Sequence, residues 1–188
     1  MVAFHISDEH DEMLRHAELV QREQGSCVMV SLNWVGLSSL QALRRHTDLA
    51  IHGHRNGYGM WSRHPALGMD FQPYAMLWRL AGVDHMHVHG LGGKFAQDDD
   101  EVVRSARDCL KPLVDGAGSA DSADVVMPAF SSGQWAGTLA PTLDAVPSAD
   151  LMFMCGGGIL AHPMGPAAGV SSVRQAWTAW QQGQPLVA

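Results

Sequence analysis

Histidines spaced two residues apart are the side chains in this sequence best suited to chemistry. They occur twice, as His52 with His54 and as His85 with His87. Because alternate residues of a β-strand point to the same face, each pair can present two imidazoles side by side, as metal ligands or as acid–base groups. A single strand histidine is usually a packed core residue, but two such pairs favour a function. Arg55, directly after the first pair, adds a fixed positive charge.

Glycine-rich turns and one lysine form a second candidate set. Gly156 to Gly158 leave backbone N–H groups exposed, which is typical of phosphate cradles, although glycine triplets also form ordinary turns. Ser131 and Gly133 belong to a Ser-Ser-Gly turn that precedes them in the chain. Lys94 follows two glycines, where a mobile ammonium suits an anionic substrate or a developing negative charge. We interpret these residues as groups that bind anions.

These groups follow short apolar runs, so we expect them at the ends of strands. The runs alternate with helical patterns, which predicts parallel strand pairing and an α/β fold. In such folds the functional residues lie at the carboxyl ends of the strands. The predicted strands are 2–6, 27–32, 49–52, 85–88, 124–129 and 151–154, and the later predicted helices are 37–45, 74–80, 98–114 and 169–182.

The first helix has the clearest signals. Ser7 is its predicted N-cap, Met13 and Ala17 lie on its apolar stripe, and Gly25 ends it. A run of four acidic residues, 98–101, resembles a charged binding patch. We interpret it as the solvated start of a helix, because negative charge there complements the helix dipole.

Composition narrows the possible classes of protein. The 188 residues include 12 Lys and Arg against 19 Asp and Glu, a net charge of −7, which opposes binding to nucleic acid. No stretch approaches the roughly 20 apolar residues that span a bilayer, and the N-terminus does not resemble a signal peptide. Three widely spaced cysteines indicate reduced thiols and a cytoplasmic protein. The six tryptophans are expected mostly in the core.

Taken in order, these motifs resemble the large-subunit barrel of RuBisCO, and most closely the RuBisCO-like proteins that do not fix carbon. The resemblance rests on residues 27–37, 51–57 and 82–87, on Lys94, on the turn 131–133 and on residues 155–163. It implies an incomplete (β/α)8 TIM-barrel fold with about six βα units, from the third strand to the eighth. Residues 1–188 would form one domain, the C-terminal part of that barrel.

The resemblance also implies roles for the residues. Arg55, His87 and Ser131 would hold one phosphate end of a sugar phosphate, and the backbone N–H groups of Gly133, Gly156 and Gly157 would hold the other anionic end. His54, His87 and Lys94 would be catalytic, with His54 in acid–base work and Lys94 polarising the group that gains charge. Mg²⁺ is implied as the cofactor. Its family ligands, a carbamylated lysine with an aspartate and a glutamate, match nothing in this sequence, so no metal ligand is predicted here.

The expected function is that of a RuBisCO-like enzyme, or a fragment of one. It would act on a keto sugar or sugar-acid phosphate through an enediolate, as a decarboxylase, transcarboxylase or tautomerase. If completed by an N-terminal part it would be a Mg²⁺-dependent lyase or isomerase, and it would form a homo-oligomer or pair with a complementary fragment. No membrane or nucleic-acid partner is expected.

Two other interpretations remain open from the sequence. The chain could be a non-catalytic remnant or assembly partner that lacks the metal-binding strand. It could also be a metal-dependent hydrolase that uses the two histidine pairs as ligands. Such hydrolases usually place an aspartate after the last strand, where Cys155 and Gly156 stand here.

Overall fold

The computed structural model describes residues 2–64, 66–93, 97–113 and 125–184. Within them, six strands alternate with eight helices. The strands are β1 (Ala3–His5), β2 (Cys27–Ser31), β3 (Ala50–His54), β4 (His85–His89), β5 (Met127–Phe130) and β6 (Met152–Phe153). The helices are α1 (His10–Arg22), α2 (Leu32–His46), α3 (Gly59–Ser62), α4 (Phe71–Ala81), α5 (Asp99–Cys109), α6 (Ala136–Ala145), α7 (Gly156–Leu160) and α8 (Pro166–Gln181).

The strands follow one another in sequence order, β1-β2-β3-β4-β5-β6. The pairs β1–β2, β2–β3, β3–β4 and β5–β6 are parallel. Sequential parallel strands joined by helices are the topology of successive units in a (β/α)8 barrel. The α/β class and the incomplete barrel of six units are therefore confirmed, and every predicted strand is present. Part of the fifth prediction, Asp124, lies outside the described residues, as do Val114 and the loop that follows it.

Contacts divide the chain into two compact units. The first comprises residues 1–87 and 108–127, and the second comprises residues 88–107 and 128–188. Strand β4 contributes to both, because it is divided after His87. The single domain over 1–188 stays a prediction.

The strands of the first unit have an aliphatic face and a polar face. Residues paired across parallel strands point the same way, and alternate residues point oppositely. On one face lie Val28, Val30, Ile51 and Met86, all fully buried. The register places on the other face His5, Cys27, Met29, Ser31, His52, His54, His85 and His87.

Helix α1 confirms the predicted apolar stripe but not the predicted cap. Met13, Ala17 and Val20 are buried. The N-cap position is Glu9, and no side chain caps it. Ser7 lies two residues earlier, and its Oγ accepts a hydrogen bond from the backbone N–H of Ser31 instead. A bond to the next strand therefore replaces the expected bond to the helix.

The second unit contains the acidic run as a helix start. Helix α5 begins at Asp99, and the Asp98 carboxylate accepts a hydrogen bond from the backbone N–H of Glu101 at 2.6 Å. This confirms the interpretation of residues 98–101 as the solvated, charged start of a helix, and the structure adds Asp98 as its cap. Helices α6 and α8 bury Leu139, Leu143 and Ala176 in this unit.

Two details of composition have a clear outcome. Cys27, Cys109 and Cys155 are all buried free thiols, as expected. The tryptophans are mostly not core residues: Trp78 is buried, whereas Trp34 and Trp135 are 72% and 55% exposed.

In the part of the chain that the structure describes, no helix is both long and apolar enough to cross a membrane.

Candidate functional site

Four histidine rings lie together on the polar face of the first unit. The ring of His52 lies 4.7 Å from His87 and 5.7 Å from His85, centroid to centroid, and the rings of His54 and His87 are 4.3 Å apart. Strands β3 and β4 position them, since His52 and His85 are paired residues in the parallel ladder. Both predicted pairs thus form a single cluster of imidazoles, in the carboxyl half of β3 and the amino half of β4.

Burial favours the neutral form of three of these rings, those of His52, His54 and His85. Burial, followed by the nearby His85 and His54, lowers the pKa of His52 to about 4. Burial also lowers the pKa of His85, against the opposing charge of Asp84. The pKa of His54 is lowered first by burial and further by the positive charges of His5 and Arg55, whereas a hydrogen bond to Asn56 raises it. Neutral imidazoles can donate and accept hydrogen bonds at once, which suits proton transfer.

The proton on the neutral ring of His54 has a defined position. The backbone N–H of Asn56 donates to His54 Nδ1 at 3.1 Å. Because that nitrogen must offer its lone pair, the ring proton of the neutral form lies on Nε2. His54 therefore presents a hydrogen-bond donor at Nε2, a group that can stabilise negative charge on a substrate oxygen.

Arg55 is a buried cation, with only 3% of its surface exposed. Its guanidinium carbon lies 4.6 Å from the ring centre of Phe71 and 5.0 Å from that of Tyr58. Stacking on aromatic faces stabilises a guanidinium that has lost its water. These rings come from α4 and from the segment after β3, and neither was predicted to contribute. The structure thus places a desolvated positive charge beside His54.

In the second unit, the predicted Ser-Ser-Gly turn follows β5. The backbone N–H of Ser131 donates to the carbonyl of His89 at 3.0 Å, so the turn is attached to the end of β4. Ser132 and Gly133 have φ values of 72° and 82°, in the left-handed region that favours glycine. A non-glycine residue held there marks local strain of a kind that concentrates at functional sites.

The three glycines after β6 differ in what surrounds them. A Cβ added to Gly156 or Gly157 would meet no atom within 4 Å, so open space lies in front of both residues. A Cβ on Gly158 would lie 2.4 Å from the carbonyl oxygen of Gln134. Gly156 and Gly157 are thus accessible, as an anion-binding role requires. Gly158 is required for packing.

Sequence reasoning missed Gln134, which organises the loops of this unit. The side chain is 1% exposed, and its Nε2 donates to the carbonyls of Leu91 and Ser132 at 3.2 and 3.3 Å. A Cβ on Gly90 would lie 2.1 Å from that same nitrogen, so Gly90 makes room for it. The sequence signal was a polar residue next to the Ser-Ser-Gly turn. Lys94, which follows this loop, lies outside the described residues.

The predicted site residues are thus distributed over both units. The first unit brings together His54, Arg55 and His87, and the second contains Ser131, Gly133, Gly156 and Gly157. A common site formed by all seven stays a prediction.

The residues present do not fit a magnesium ion. Magnesium is bound through carboxylate and carbonyl oxygens, whereas the polar face of the first unit presents imidazoles. Across the described ranges, no three His, Cys, Asp or Glu side chains are grouped so that they could hold a metal ion. The metal-dependent hydrolase interpretation likewise finds no ligand set in this part of the chain.

The fold and the polar strand ends define an α/β protein of the (β/α) barrel class, and comparison with known proteins defines the family. Residues 3–188 match the model of the ribulose bisphosphate carboxylase large chain, catalytic domain. The chain belongs to this RuBisCO large-chain family, which generally uses Mg²⁺.

Three curated relatives show where it lies in the family. It is 55% identical to an uncharacterized ribulose bisphosphate carboxylase-like protein of Bordetella bronchiseptica and 48% identical to the 3-oxo-isoapionate-4-phosphate transcarboxylase/hydrolase of Xanthobacter autotrophicus. It is 40% identical to the 3-oxo-isoapionate-4-phosphate decarboxylase of Rhizobium etli. Each comparison covers 99% of this chain but 44% of the relative, so the chain spans less than half the length of these proteins.

Solved structures agree with this placement. A rubisco-like protein from Burkholderia fungorum superposes with a TM-score of 0.93 and 68% identity, over 99% of this chain and 45% of that one. The octameric Rubisco from Pyrococcus horikoshii superposes with a TM-score of 0.86 and 31% identity, over 97% of this chain and 42% of that one.

Proposed function

We propose that this chain is the catalytic portion of a RuBisCO-like enzyme that acts on a keto sugar-acid phosphate through an enediolate. A decarboxylase or transcarboxylase acting on 3-oxo-isoapionate 4-phosphate is the preferred reaction type, with a tautomerase as the alternative. The observation that carries the proposal is the cluster of His54, His87 and buried Arg55, at the carboxyl end of β3 and the middle of β4. Identity of 40–48% to two enzymes named for that substrate supports it.

The chemistry of a 3-oxo acid explains why this cluster is suitable. When the carboxylate leaves as CO₂, the electron pair of the broken carbon–carbon bond remains on the neighbouring carbon and delocalises onto the ketone oxygen. A donor such as His54 Nε2–H stabilises that oxygen without becoming charged itself. A proton from an acid on the protein then returns to the carbon and regenerates the ketone.

The anionic ends of the substrate have proposed partners in both units. In the first, Arg55 and His87 supply positive charge and a hydrogen-bond donor for a phosphate. Ser131 of the second unit would supply a hydroxyl group to that same phosphate. Gly133, Gly156 and Gly157, which face open space, would hold the other anionic end through backbone N–H groups. Lys94 would polarise the group that gains charge. These roles follow the family resemblance residue by residue.

Turnover of 3-oxo-isoapionate 4-phosphate by the purified protein tests the proposal. Release of bicarbonate and loss of substrate, followed by ¹³C and ³¹P NMR, should be seen for the wild type. His54→Gln should lower kcat by about 100-fold or more, because it removes the proposed imidazole donor to the oxygen that gains charge. His10→Gln changes an exposed histidine on α1 and is the matched control.

The alternative outcome is equally specific. A folded wild-type protein that turns over neither this substrate nor related keto sugar phosphates would contradict the proposal. It would favour the non-catalytic assembly partner instead.

Self-association is proposed with the activity. One structural neighbour is described as an octameric Rubisco, which supports a homo-oligomer for this protein. Light scattering of the purified protein at several concentrations measures the number of subunits directly, and a monomer at every concentration would contradict this proposal.

A further inference from the structure

His5 is an additional histidine on the polar face of the first unit, and no role has been assigned to it so far. It is the last residue of β1 and pairs with Met29 of β2, which in turn pairs with His52 of β3. Residues in such a register point to the same face, so His5 shares the face of His52 and His54. Unlike His52, His85 and His87, which are 1%, 9% and 7% exposed, the His5 side chain is exposed to solvent.

Two serines hold the ring of His5 in place. His5 Nε2 lies 3.0 Å from Ser7 Oγ and 3.0 Å from Ser31 Oγ. Ser7 is itself fixed, because the backbone N–H of Ser31 donates to its Oγ at 2.7 Å. Ser31 is 3% exposed, so its hydroxyl is committed to protein partners rather than to bulk water. The imidazole is therefore oriented through Nε2, and Nδ1 is the nitrogen left for proton exchange.

Asn56 connects this pair to His54. With its amide oxygen toward the Trp34 indole, Asn56 accepts from Trp34 Nε1 at 3.2 Å and contacts Ser31 Oγ at 3.1 Å. Its side-chain nitrogen then donates to the carbonyl of His54 at 3.2 Å. Its backbone N–H donates to His54 Nδ1 at 3.1 Å. A continuous set of hydrogen bonds thus runs from His5 through Ser31 and Asn56 to His54.

Because the tautomer of His54 is fixed, His54 and His5 have different chemical roles. His54 carries its proton on Nε2 and so acts as a donor toward a substrate oxygen. It cannot also take a proton from carbon at that nitrogen. The rings of His52, His85 and His87 are buried, whereas the ring of His5 is exposed, so water reaches His5 and not the other three.

We propose that His5 is the base of a two-histidine acid–base pair in which His54 is the hydrogen-bond donor. This inference rests on the proposed enediolate chemistry and adds the residue that moves the proton. His5 Nδ1 takes a proton from the carbon beside the ketone, and the C–H electron pair forms the new carbon–carbon double bond. The carbonyl π pair moves to oxygen, where the N–H of His54 stabilises it.

The products of that step balance. One imidazolium forms at His5, one enediolate oxygen carries the negative charge, and no oxidant or reductant is needed. The Nε2–H of the imidazolium donates to the oxygens of Ser7 and Ser31, so the cation remains hydrogen-bonded. In a decarboxylation the enolate forms by loss of CO₂ instead, and a His5 imidazolium that has taken its proton from water gives that proton to carbon. Ser31 is a positioning residue, because it acts through His5.

Histidine titrations test the pair without any substrate. The protein is labelled with ¹⁵N-histidine, and long-range ¹H–¹⁵N spectra are recorded across pH 4–9 for the wild type, His5→Gln and His10→Gln. The charged groups near His54 are His5 on β1 and Arg55 after β3, and the ring of His87 on β4 contacts it. Loss of the His5 charge should therefore raise the pKa of His54. His10, which also contacts a serine hydroxyl at 3.4 Å, should leave it unchanged.

Hydrogen exchange tests the chemical role. The wild type should exchange the carbon-bound hydrogen beside the ketone of 3-oxo-isoapionate 4-phosphate or another keto sugar phosphate in D₂O. His5→Gln should lower the exchange rate constant by about 100-fold with KM within about threefold, as expected for loss of a base. Ser31→Ala should lower it by about tenfold, and Ser31→Thr, which keeps the hydroxyl, should restore it.

Each result is decisive. Exchange by His5→Gln within threefold of the wild type overturns the role of His5 while leaving the proposed function intact. Absence of exchange by the wild type contradicts the proposed function, and the titration then decides the pair by itself. The pair is overturned if His54 carries its neutral proton on Nδ1, or if its titration is the same in His5→Gln.

Discussion

At the scale of single residues, position matters more than residue type. Gly156 and Gly158 are two residues apart in one glycine triplet, yet one faces open space and the other touches the backbone of Gln134. His54 and His52 lie on one strand, yet a hydrogen bond to Asn56 fixes the tautomer of the first. Neither ring nitrogen of His52 has a hydrogen-bond partner among the described residues. Such differences determine which members of a motif are free to act on a ligand.

Substitution of the glycines measures this difference. Gly158→Ala should lower the free energy of unfolding by about 1–3 kcal/mol, because its Cβ would lie 2.4 Å from the Gln134 carbonyl oxygen and 2.6 Å from Trp135 Cβ. Gly156→Ala, the matched control, meets no atom within 4 Å and should lose no stability. Urea unfolding of both variants gives the comparison. Equal stabilities would show that Gly158 is not tightly packed.

At the scale of elements, one carboxylate joins three segments of the first unit. Asp84, which precedes β4, accepts a hydrogen bond from Arg44 Nη1 of α2 at 2.9 Å and from the backbone N–H of Ile51 in β3 at 2.7 Å. The ion pair with Arg44 is partly exposed, with 28% and 45% of the two side chains accessible, so solvent weakens it. The bond to Ile51 satisfies a donor inside the sheet and contributes more.

Asp84 variants separate these two contributions. Asp84→Ala should cost about 1–3 kcal/mol, because it leaves the N–H of the buried Ile51 without its acceptor. Asp84→Asn keeps an acceptor oxygen and should cost about 1 kcal/mol or less. Thermal unfolding measures both, with the exposed Asp48→Ala as control. If Asp84→Asn is as destabilising as Asp84→Ala, the bond to Ile51 is not the larger contribution.

At the scale of the whole molecule, the cluster of buried neutral histidines makes stability depend on pH. The folded-state pKa of His52 is about 4, below its ordinary value of 6.5. Those of His54 and His85 are also lowered. Between about pH 4 and pH 6.5, His52 of the unfolded chain binds a proton that His52 of the folded chain does not. The free energy of unfolding is therefore unaffected by this cluster above about pH 6.5 and falls as the solution becomes more acidic.

Acid unfolding of a His52 variant checks this dependence. Titration of His52 should decrease the free energy of unfolding by up to about 1.4 kcal/mol per pH unit between pH 6.5 and pH 4. His52→Leu removes one titrating group from a site where both ring nitrogens are buried, so its stability should fall less steeply with acid. Urea midpoints at pH 7.5, 6 and 5 give the slopes, with His10→Gln as control. Identical slopes for the wild type and His52→Leu would contradict the conclusion that burial lowers the pKa of His52.

The sequence by itself determined the alternation of strands and helices and the spacing of the histidine pairs. Hydrophobic periodicity is a local property, so β1 to β6 were predicted within three residues, including the short β6. The common face of His52 and His54, and that of His85 and His87, follow from the two-residue repeat of a strand, which needs no tertiary contact. The register of β3 and β4 brings the two pairs onto the same face of the sheet. The motif order also carried the family resemblance.

Only the tertiary structure decided the partners of these residues. Ser7 satisfies every local rule for an N-cap, but the neighbouring strand brings the N–H of Ser31 to its hydroxyl first. Gln134, 43 residues from Leu91, became visible as a loop anchor only when the chain folded. His5 likewise acquired Ser31 as its partner through strand pairing. Hydrogen bonds between residues distant in sequence depend on strand register and burial, which local patterns do not encode.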